Sequence, residues 1–350
     1  MIFSSRKHKR ARAVARLFEE IDSLVGENGT GRDPETARRI LRLRHQAGLR
    51  LIEEPDAHPP GFASPAFEQL HDDSELPEVG PREVSPELAR AAMLSSGCLL
   101  IRGLVDKDQA RHLAEAIDRA NEAREARAAG LAADPGYYEE FEPDPQFAGK
   151  VAFGRAVLGS GGGGGLWAAD CPLVMLEVLD TFERVGLRRL ATDYLGERPA
   201  ISVDKCVLRK VGPKIFEESA RSGGQKPSAW HQDGAFLGEV RALNVWLSLS
   251  RCGDEAPGLD IVPRRLDGIV PTGTEGAAFE WSVSRTVAEQ MAGDAGILRP
   301  VFEPGDALLF DELFLHSTAA DPDMPSTRYA VESWFFAPSG FPPEYAPLAF

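Results

Sequence analysis

From Ala200 onward the chain breaks into short apolar segments separated by Gly, Pro and Asp, and this texture restricts the fold more than any other feature. The segments Ile201–Lys210, Ala229–Phe236, Ala242–Leu249, Gly258–Val262, Gly296–Phe302, Ala307–His316 and Arg328–Phe336 are all of strand length and bounded by turn formers. Many short strands with turn signals between them predict an antiparallel sandwich or barrel. No internal repeat of fixed period is visible.

The first half reads differently. Leu17, Ile21 and Leu24 recur at helical spacing within a partly amphipathic stretch from Arg10 to Val25. A second helix is predicted from Pro34 to Leu51 on Ile40, Leu43, Ala47 and Leu51. Residues 55–81 carry a proline cluster with little periodicity, which suits a surface connector or a domain boundary. The main domain is expected from about Val84, giving a division into 1–83, a helical extension with its connector, and 84–350. In the latter, Gly97 to Gly103 brackets a short apolar strand, and Asp106 with Gln109 makes a capping-box pattern for a helix whose stripe is Leu113, Ile117 and Ala120. One further helix is predicted from Pro172 to Tyr194, with Gly196 as its stop. The glycine run from Gly159 to Gly165 lacks the Lys-Ser/Thr of a phosphate loop and reads as a loop that could serve as a lid.

At 350 residues and 43% apolar, the chain can build a full core. A formal net charge of −15 disfavours a general nucleic-acid binder, which needs a basic surface to displace counterions. Cys98, Cys171, Cys206 and Cys252 are widely spaced with no CxxC pair, so buried or free thiols in a reducing compartment are expected. No apolar run approaches the length of a membrane span, and the basic stretch at residues 6–10 follows too few apolar residues for a secretory signal. The Arg-rich start also fits a transit peptide; a solvated helix and a cytoplasmic protein are the preferred reading. Oligomeric state is left open.

The chemistry gathers around His231-Gln232-Asp233. On an extended segment, side chains two apart share a face, so this imidazole and carboxylate are expected side by side. Of seven histidines, five lie at or before His112, and the only other one in the β-rich half is His316. Two imidazoles and one carboxylate on one side of a metal leave positions open for a cosubstrate and O₂, the ligand set of non-haem Fe(II) oxygenases. Arg328 opens the strand after His316 and is expected to return beside His316 and Thr318. A guanidinium there needs an anion, either a bound carboxylate or an internal acid such as Asp311 or Glu332. Trp246 reads from its periodicity as core, with a pocket wall as the alternative.

Taken in order, Trp-His-Gln-Asp (230–233), Leu-Asn-Val-Trp-Leu-Ser-Leu (243–249), Gly-Leu-Asp-Ile-Val-Pro (258–263), Glu-Pro-Gly-Asp-Ala-Leu-Leu-Phe (303–310), His-Ser-Thr (316–318) and Arg328 resemble the phytanoyl-CoA dioxygenase-like family of Fe(II)/2-oxoglutarate-dependent oxygenases. The resemblance covers about 84–337. It implies a double-stranded β-helix (jelly-roll) core with flanking helices, so an α+β protein that is mainly β. It implies Fe(II) held by His231, Asp233 and His316, with 2-oxoglutarate and O₂ as cosubstrates. Arg328 and Thr318 would hold the far carboxylate of 2-oxoglutarate, and Trp246 would line its pocket. The implied activity is oxidation, typically hydroxylation, of a C–H bond of a small or medium-sized metabolite, with release of succinate and CO₂. Two stretches depart from the family pattern: the long polar connection Ile215–Ser228, and Pro263-Arg264-Arg265-Leu266 in place of a glycine-serine-histidine ending. Trp230, Phe236, Trp281, Trp334 and Phe335 supply aromatic surface either to the core or to a substrate mouth. A zinc hydrolase and a catalytically silent binding barrel are the competing classes. The first lacks a dense ligand motif and leaves Arg328 without a role.

Overall fold

The computed structural model describes residues 2–28, 33–53, 59–70, 75–160, 165–215, 217 and 229–350. Helices α1 (Ile2–Asn28) and α2 (Pro34–Glu53) pack together through Ile21, Ile40 and Leu43. Helix α2 is also fastened to the C-terminal end of the chain. His45 donates from Nδ1 to the Pro347 carbonyl (2.7 Å) and accepts at Nε2 from the Asp144 N–H (2.9 Å). Both ring nitrogens are thus spent on backbone, which marks His45 as a structural residue.

The proline-rich stretch is tied down where it is described, with Ala63 N–H bonded to Tyr194 O and Ala66 N–H to Glu87 O. It ends in β1 (Glu78–Val79). Helix α3 (Pro86–Ser96) starts as its sequence demands, with the Ser85 hydroxyl accepting from Leu88 N–H and Pro86 in the first turn. Gly97, at φ 81°, ends it and turns the chain directly into the buried strand β2 (Cys98–Ile101). Helix α4 (Lys107–Ala128) carries the expected Asp106 cap on Gln109 N–H (2.9 Å), and Leu113, Ile117 and Ala120 are buried. The Gln109 side chain does not close a capping box; it donates to the Thr181 hydroxyl instead (3.2 Å). Helix α5 (Pro145–Ser160) runs into the glycine run, of which 161–164 lie outside the described residues, and Gly165 opens β3 (Gly165–Trp167). The single helix predicted from Pro172 to Tyr194 is two, α6 (Pro172–Arg184) and α7 (Leu187–Leu195), because Gly186 takes φ 75° between them.

The β-rich half contains β4 (Ala200–Val211), the short helix α8 (Gly234–Leu237), β5 (Ala242–Ser248), β6 (Gly258–Ile261), α9 (Arg285–Ala292), β7 (Ala307–Phe310), β8 (His316–Ala319), β9 (Arg328–Phe336) and β10 (Pro347–Ala349). An eight-stranded mixed sheet runs β1-β2-β7-β5-β9-β4-β10 with β3 also on β4. A second, smaller sheet pairs β6 with β8 and is widened by single bridges from His231 to His316, Trp230 to Val283 and Ile261 to Leu298. The architecture is α+β. Three predicted strands are changed. Ala307–His316 is not continuous: β7 stops at Phe310, a turn follows, and His316 begins β8 in the other sheet. Ala229–Phe236 holds only bridges before turning into α8, and Gly296–Phe302 only bridges at Leu298 and Phe302.

Side chains alternate across the large sheet. Trp246, Phe310, Arg328 and Trp334 face the small sheet, while Phe335 points the other way, onto Phe182 of α6 (ring centroids 5.8 Å). The four cysteines are free and buried. No helix among the described residues is long and apolar enough to cross a membrane.

Candidate metal centre

His231 and His316 sit opposite each other in the small sheet and exchange both backbone hydrogen bonds, 2.9 and 3.0 Å. Each ring is fixed from behind. Nδ1 of His231 lies 2.8 Å from the Ala229 carbonyl, and Nδ1 of His316 lies 3.0 Å from the Phe314 carbonyl. A carbonyl only accepts, so both Nδ1 atoms carry a proton and Nε2 is the nitrogen each ring can offer a metal.

Asp233 joins them by a different route from the one its spacing suggested. It is not on an extended strand; at φ −62° and ψ −25° it opens α8, and the strand-to-helix turn swings its carboxylate back. Its Oδ1 lies 3.3 Å from Nε2 of His231. Ligand atoms of His231, Asp233 and His316 all fall within 4.8 Å of one another, the only such cluster of His, Cys, Asp and Glu found among the described residues. Oδ2 of Asp233 is buried with no hydrogen-bond partner. An orphaned buried carboxylate oxygen beside two imidazoles that turn Nε2 toward it fits a divalent metal, which removes the penalty of leaving it unpaired.

The intervening Gln232 is a clamp. Its Nε2 donates to the carbonyls of Leu313 (2.7 Å) and Gly268 (3.1 Å), and its Oε1 accepts from Val270 N–H (2.7 Å). That ties the His-x-Asp turn both to the turn before β8 and to the loop after β6. Sequence reasoning passed over this residue, although a polar side chain between two ligands, in an otherwise apolar segment, was a usable signal.

The electrostatics follow from enclosure. Burial opposes protonation of both imidazoles. In His231 the hydrogen bond and charge of Asp233 outweigh that, and its pKa is raised; in His316 burial and the neighbouring His231 lower it. Burial alone would raise Asp233, but the His231 hydrogen bond, both imidazoles and Lys205 hold it below the usual carboxylate range.

The cluster opens into a cavity of about 530 Å³ between the two sheets, in the size range of small-molecule sites. Arg328, Thr318 and Trp246 line the same cavity, so all six residues singled out in the sequence converge there. The route again differs from expectation: β9 pairs with β4 and β5, not with β8, so Arg328 reaches the cavity from the large sheet and Thr318 from the small one. Trp246 is both buried and a wall, packed on Phe302 (4.8 Å) with the Arg328 guanidinium 5.7 Å from its ring.

Arg328 is only 3% exposed. One guanidinium nitrogen donates to the Gly258 carbonyl (2.8 Å), and Nε has no partner. Neither internal acid considered for it is available: Asp311 pairs with Arg265, and Glu332 with Arg209 at 2.9 Å. Burial pulls its pKa down to about 10, so it remains a cation at neutral pH. Among the described residues it has no carboxylate partner. The Arg265–Asp311 pair also gives a use for the departure at 263–266, while the polar connection 215–228 lies outside the described residues except for Ile215 and Glu217. Of the aromatic candidates, Phe236, Trp281 and Trp334 line the cavity, Trp334 also belonging to the main core, whereas Trp230 and Phe335 are core residues only.

No family model and no curated protein matches the chain. Among solved structures, it is similar to EctD from S. alaskensis with bound Fe (18% identity, 81% of this chain and 83% of that one, TM-score 0.43). It is also similar to SnoK, a non-heme alpha ketoglutarate dependent carbocyclase from nogalamycin biosynthesis (14%, 74% and 87%, TM-score 0.45). The epimerase SnoN from the same biosynthesis gives 16%, 72% and 82%, with a TM-score of 0.40. At these identities and TM-scores the likenesses decide neither fold nor chemistry, which rest on the residues of this chain.

Proposed function

We propose that this protein is an Fe(II)/2-oxoglutarate-dependent dioxygenase that hydroxylates, or otherwise oxidises, a C–H bond of a small or medium-sized metabolite. The observation that carries the reading is one cavity holding both a His-Asp-His cluster with an orphaned carboxylate oxygen and a buried arginine with no acid partner among the described residues. A zinc hydrolase would use the first and leave the second unexplained. The core is read as a double-stranded β-helix: from the His231 segment through β5, β6, β7, β8 and β9, successive strands alternate between the small and the large sheet. Residues 84–350 form the oxygenase unit in this reading, and 1–83 are an extension whose last strand, β1, joins the large sheet on β2.

His231, Asp233 and His316 would hold the metal. When bound, Fe(II) with 2-oxoglutarate and O₂ supplies the oxidising power, and 2-oxoglutarate leaves as succinate and CO₂. The chain's own part is placement. Arg328 would supply a charge-assisted contact for the far carboxylate of 2-oxoglutarate, Thr318 would add a hydroxyl, and Trp246 and Leu259 would wall the site against water. The backbone carbonyls of Ala229 and Phe314 keep both imidazoles in the ligating tautomer.

The test is anaerobic addition of Fe(II) and then 2-oxoglutarate to the metal-free protein. A visible metal-to-ligand charge-transfer band that needs both components is expected, followed by substrate-dependent succinate release in air. A protein that binds Zn²⁺ but gives no such band is not an oxygenase of this kind.

A further inference from the structure

On that oxygenase reading of the cavity, we infer that the substrate is an amphipathic acid whose apolar body lies on an aromatic rim beside His231 and whose carboxylate or phosphate meets Lys205. Lys205 sits in β4 at the register shift between Ile201 and Cys206, where the irregular backbone turns both Asp204 and Lys205 to the cavity. Its ammonium lies 4.5 Å from the Phe236 ring centroid and 5.4 Å from that of Tyr345. Ring faces attract a cation without cancelling its charge. Among the described residues Lys205 has no carboxylate partner, whereas the other lining cations on this side are matched: Arg209 by Glu332 (2.9 Å) and Lys150 by Glu344 (2.6 Å). Asp204 accepts the Ser202 hydroxyl at 2.5 Å, so its nearest partner is that hydroxyl and not Lys205.

With Arg328 assigned to 2-oxoglutarate, Lys205 is the unpaired lining cation left for the substrate among the described residues. It stands out in a chain whose net charge of −15 otherwise repels anions. The apolar half of the ligand is read from the rim. Trp281 meets His231 edge-on (5.3 Å) and stacks on Phe279 (4.7 Å, 12°), and Phe236 lies 6.1 Å from the same imidazole. Phe153, on α5, lines the cavity yet remains 72% exposed. Large apolar side chains left open at the mouth of a cavity are contact surface for a ligand.

Two fluorescent probes separate charge from apolar contact: 8-anilinonaphthalene-1-sulfonate and its uncharged counterpart N-phenyl-1-naphthylamine, each titrated into the full-length, metal-free protein. Wild type should bind the sulfonate more tightly than the neutral probe. Lys205→Met should weaken the sulfonate roughly tenfold, the loss of one charge-assisted contact, and leave the neutral probe unchanged; Lys205→Arg should retain most of the sulfonate affinity. Phe153→Ser, at an exposed position, should weaken both probes. Equal binding of the two probes by wild type, or a Lys205→Met protein with undiminished sulfonate affinity, overturns the inference. The two readings fail separately. A wild-type protein without the 2-oxoglutarate band is no oxygenase, whatever the probes report, and probe binding indifferent to Lys205 leaves the band untouched.

Discussion

His231 and His316 are direct antiparallel partners, with backbone hydrogen bonds of 2.9 and 3.0 Å and imidazole centroids 4.4 Å apart. Two residues separated by 85 positions therefore hold their ring spacing through the backbone, before any side-chain packing is considered. A site assembled this way is preorganised: the metal need not draw the ligands together.

Removing a ligand should accordingly abolish binding without unfolding the chain. His316→Ala and Asp233→Ala are expected to lose Fe(II)-dependent turnover and the d–d absorption of a Co(II)-substituted site, while far-UV circular dichroism stays native. Turnover or a wild-type cobalt spectrum in either variant would remove that residue from the ligand set.

Much of this was legible in the sequence, and the misses share a cause. Strand identity was readable where the strand is long, as with β4, β5 and β9, because apolar content and flanking turn formers mark such segments, whereas the three-residue buried strands β3 and β10 were not predicted. The metal ligands were readable because few histidines occur and two of them stand in the β-rich half. What failed was local geometry near the site. His316 was taken as a strand end but begins one, since Asp311–Leu315 turns the chain between sheets. Asp233 was placed by strand periodicity but arrives through a helix start. Periodicity says which residues share a face; it does not say where a chain leaves one sheet for another. Lys205 was missed for the same reason, because only the β4 irregularity turns it into the cavity.

Arg328 is a buried cation with no carboxylate partner among the described residues. Arg328→Ala should raise the 2-oxoglutarate concentration needed for half-maximal turnover by about ten- to hundredfold, the equivalent of a charge-assisted contact of roughly 1.5–3 kcal/mol. Because removing an uncompensated buried charge is stabilising, Arg328→Met should melt no lower than wild type without ligand yet gain nothing from 2-oxoglutarate, which should stabilise wild type. Differential scanning fluorimetry with and without 2-oxoglutarate checks both statements; equal stabilisation of the two proteins would detach Arg328 from the cosubstrate.

The His231–Asp233 contact sets a pH dependence whose sign is fixed by the shifts. His231 is raised, so in the metal-free protein it contributes stability that is fully present below the unfolded value of about 6.5 and is lost as pH rises through its folded pKa. Asp233 is lowered, so its contribution is present above the unfolded value of about 3.9 and is lost as pH falls through its folded pKa. A metal must displace the raised His231 proton, so metal affinity should weaken as pH drops, from a higher pH than an ordinary histidine would give. NMR titration of the imidazole protons is the direct measurement. In Asp233→Asn the cause of the rise is gone while burial remains, so the His231 pKa should fall below its ordinary value; an unchanged midpoint would contradict the assignment.

Gly305 places β7 against the turn after β2. Its φ is 96°, and a Cβ there would stand 1.9 Å from the Val105 carbonyl oxygen, with Gly305 itself bonded to Ser248 O and to Val105 N–H. Gly305→Ala thus combines left-handed strain with a backbone clash that no rotamer relieves. A loss of about 3 kcal/mol in urea unfolding is expected. An alanine variant within 1 kcal/mol of wild type, a bound set by roughly the usual effect of a surface change, would show that the turn relaxes freely.

Gln232 offers the sharpest separation between holding the site and doing its chemistry. Its amide satisfies two carbonyls and one N–H from two different loops, all close to the ligand segment. Gln232→Ala strands those three backbone groups, each costing about 1–3 kcal/mol if it finds no water. The His-x-Asp turn also loses the brace that sets the Asp233 direction. Stability should drop by at least about 2 kcal/mol, and metal affinity by roughly ten- to hundredfold, as for other groups that orient metal ligands. Turnover at saturating Fe(II) should recover substantially, because no ligand has been removed. Gln232→Glu is the stringent control. It can still accept from Val270 N–H but turns a carboxylate onto the carbonyls of Leu313 and Gly268, so it should be at least as destabilised as the alanine variant despite being nearly isosteric. If the glutamate variant is instead as stable as wild type, the amide is not donating to those carbonyls and the clamp must be assigned to other contacts.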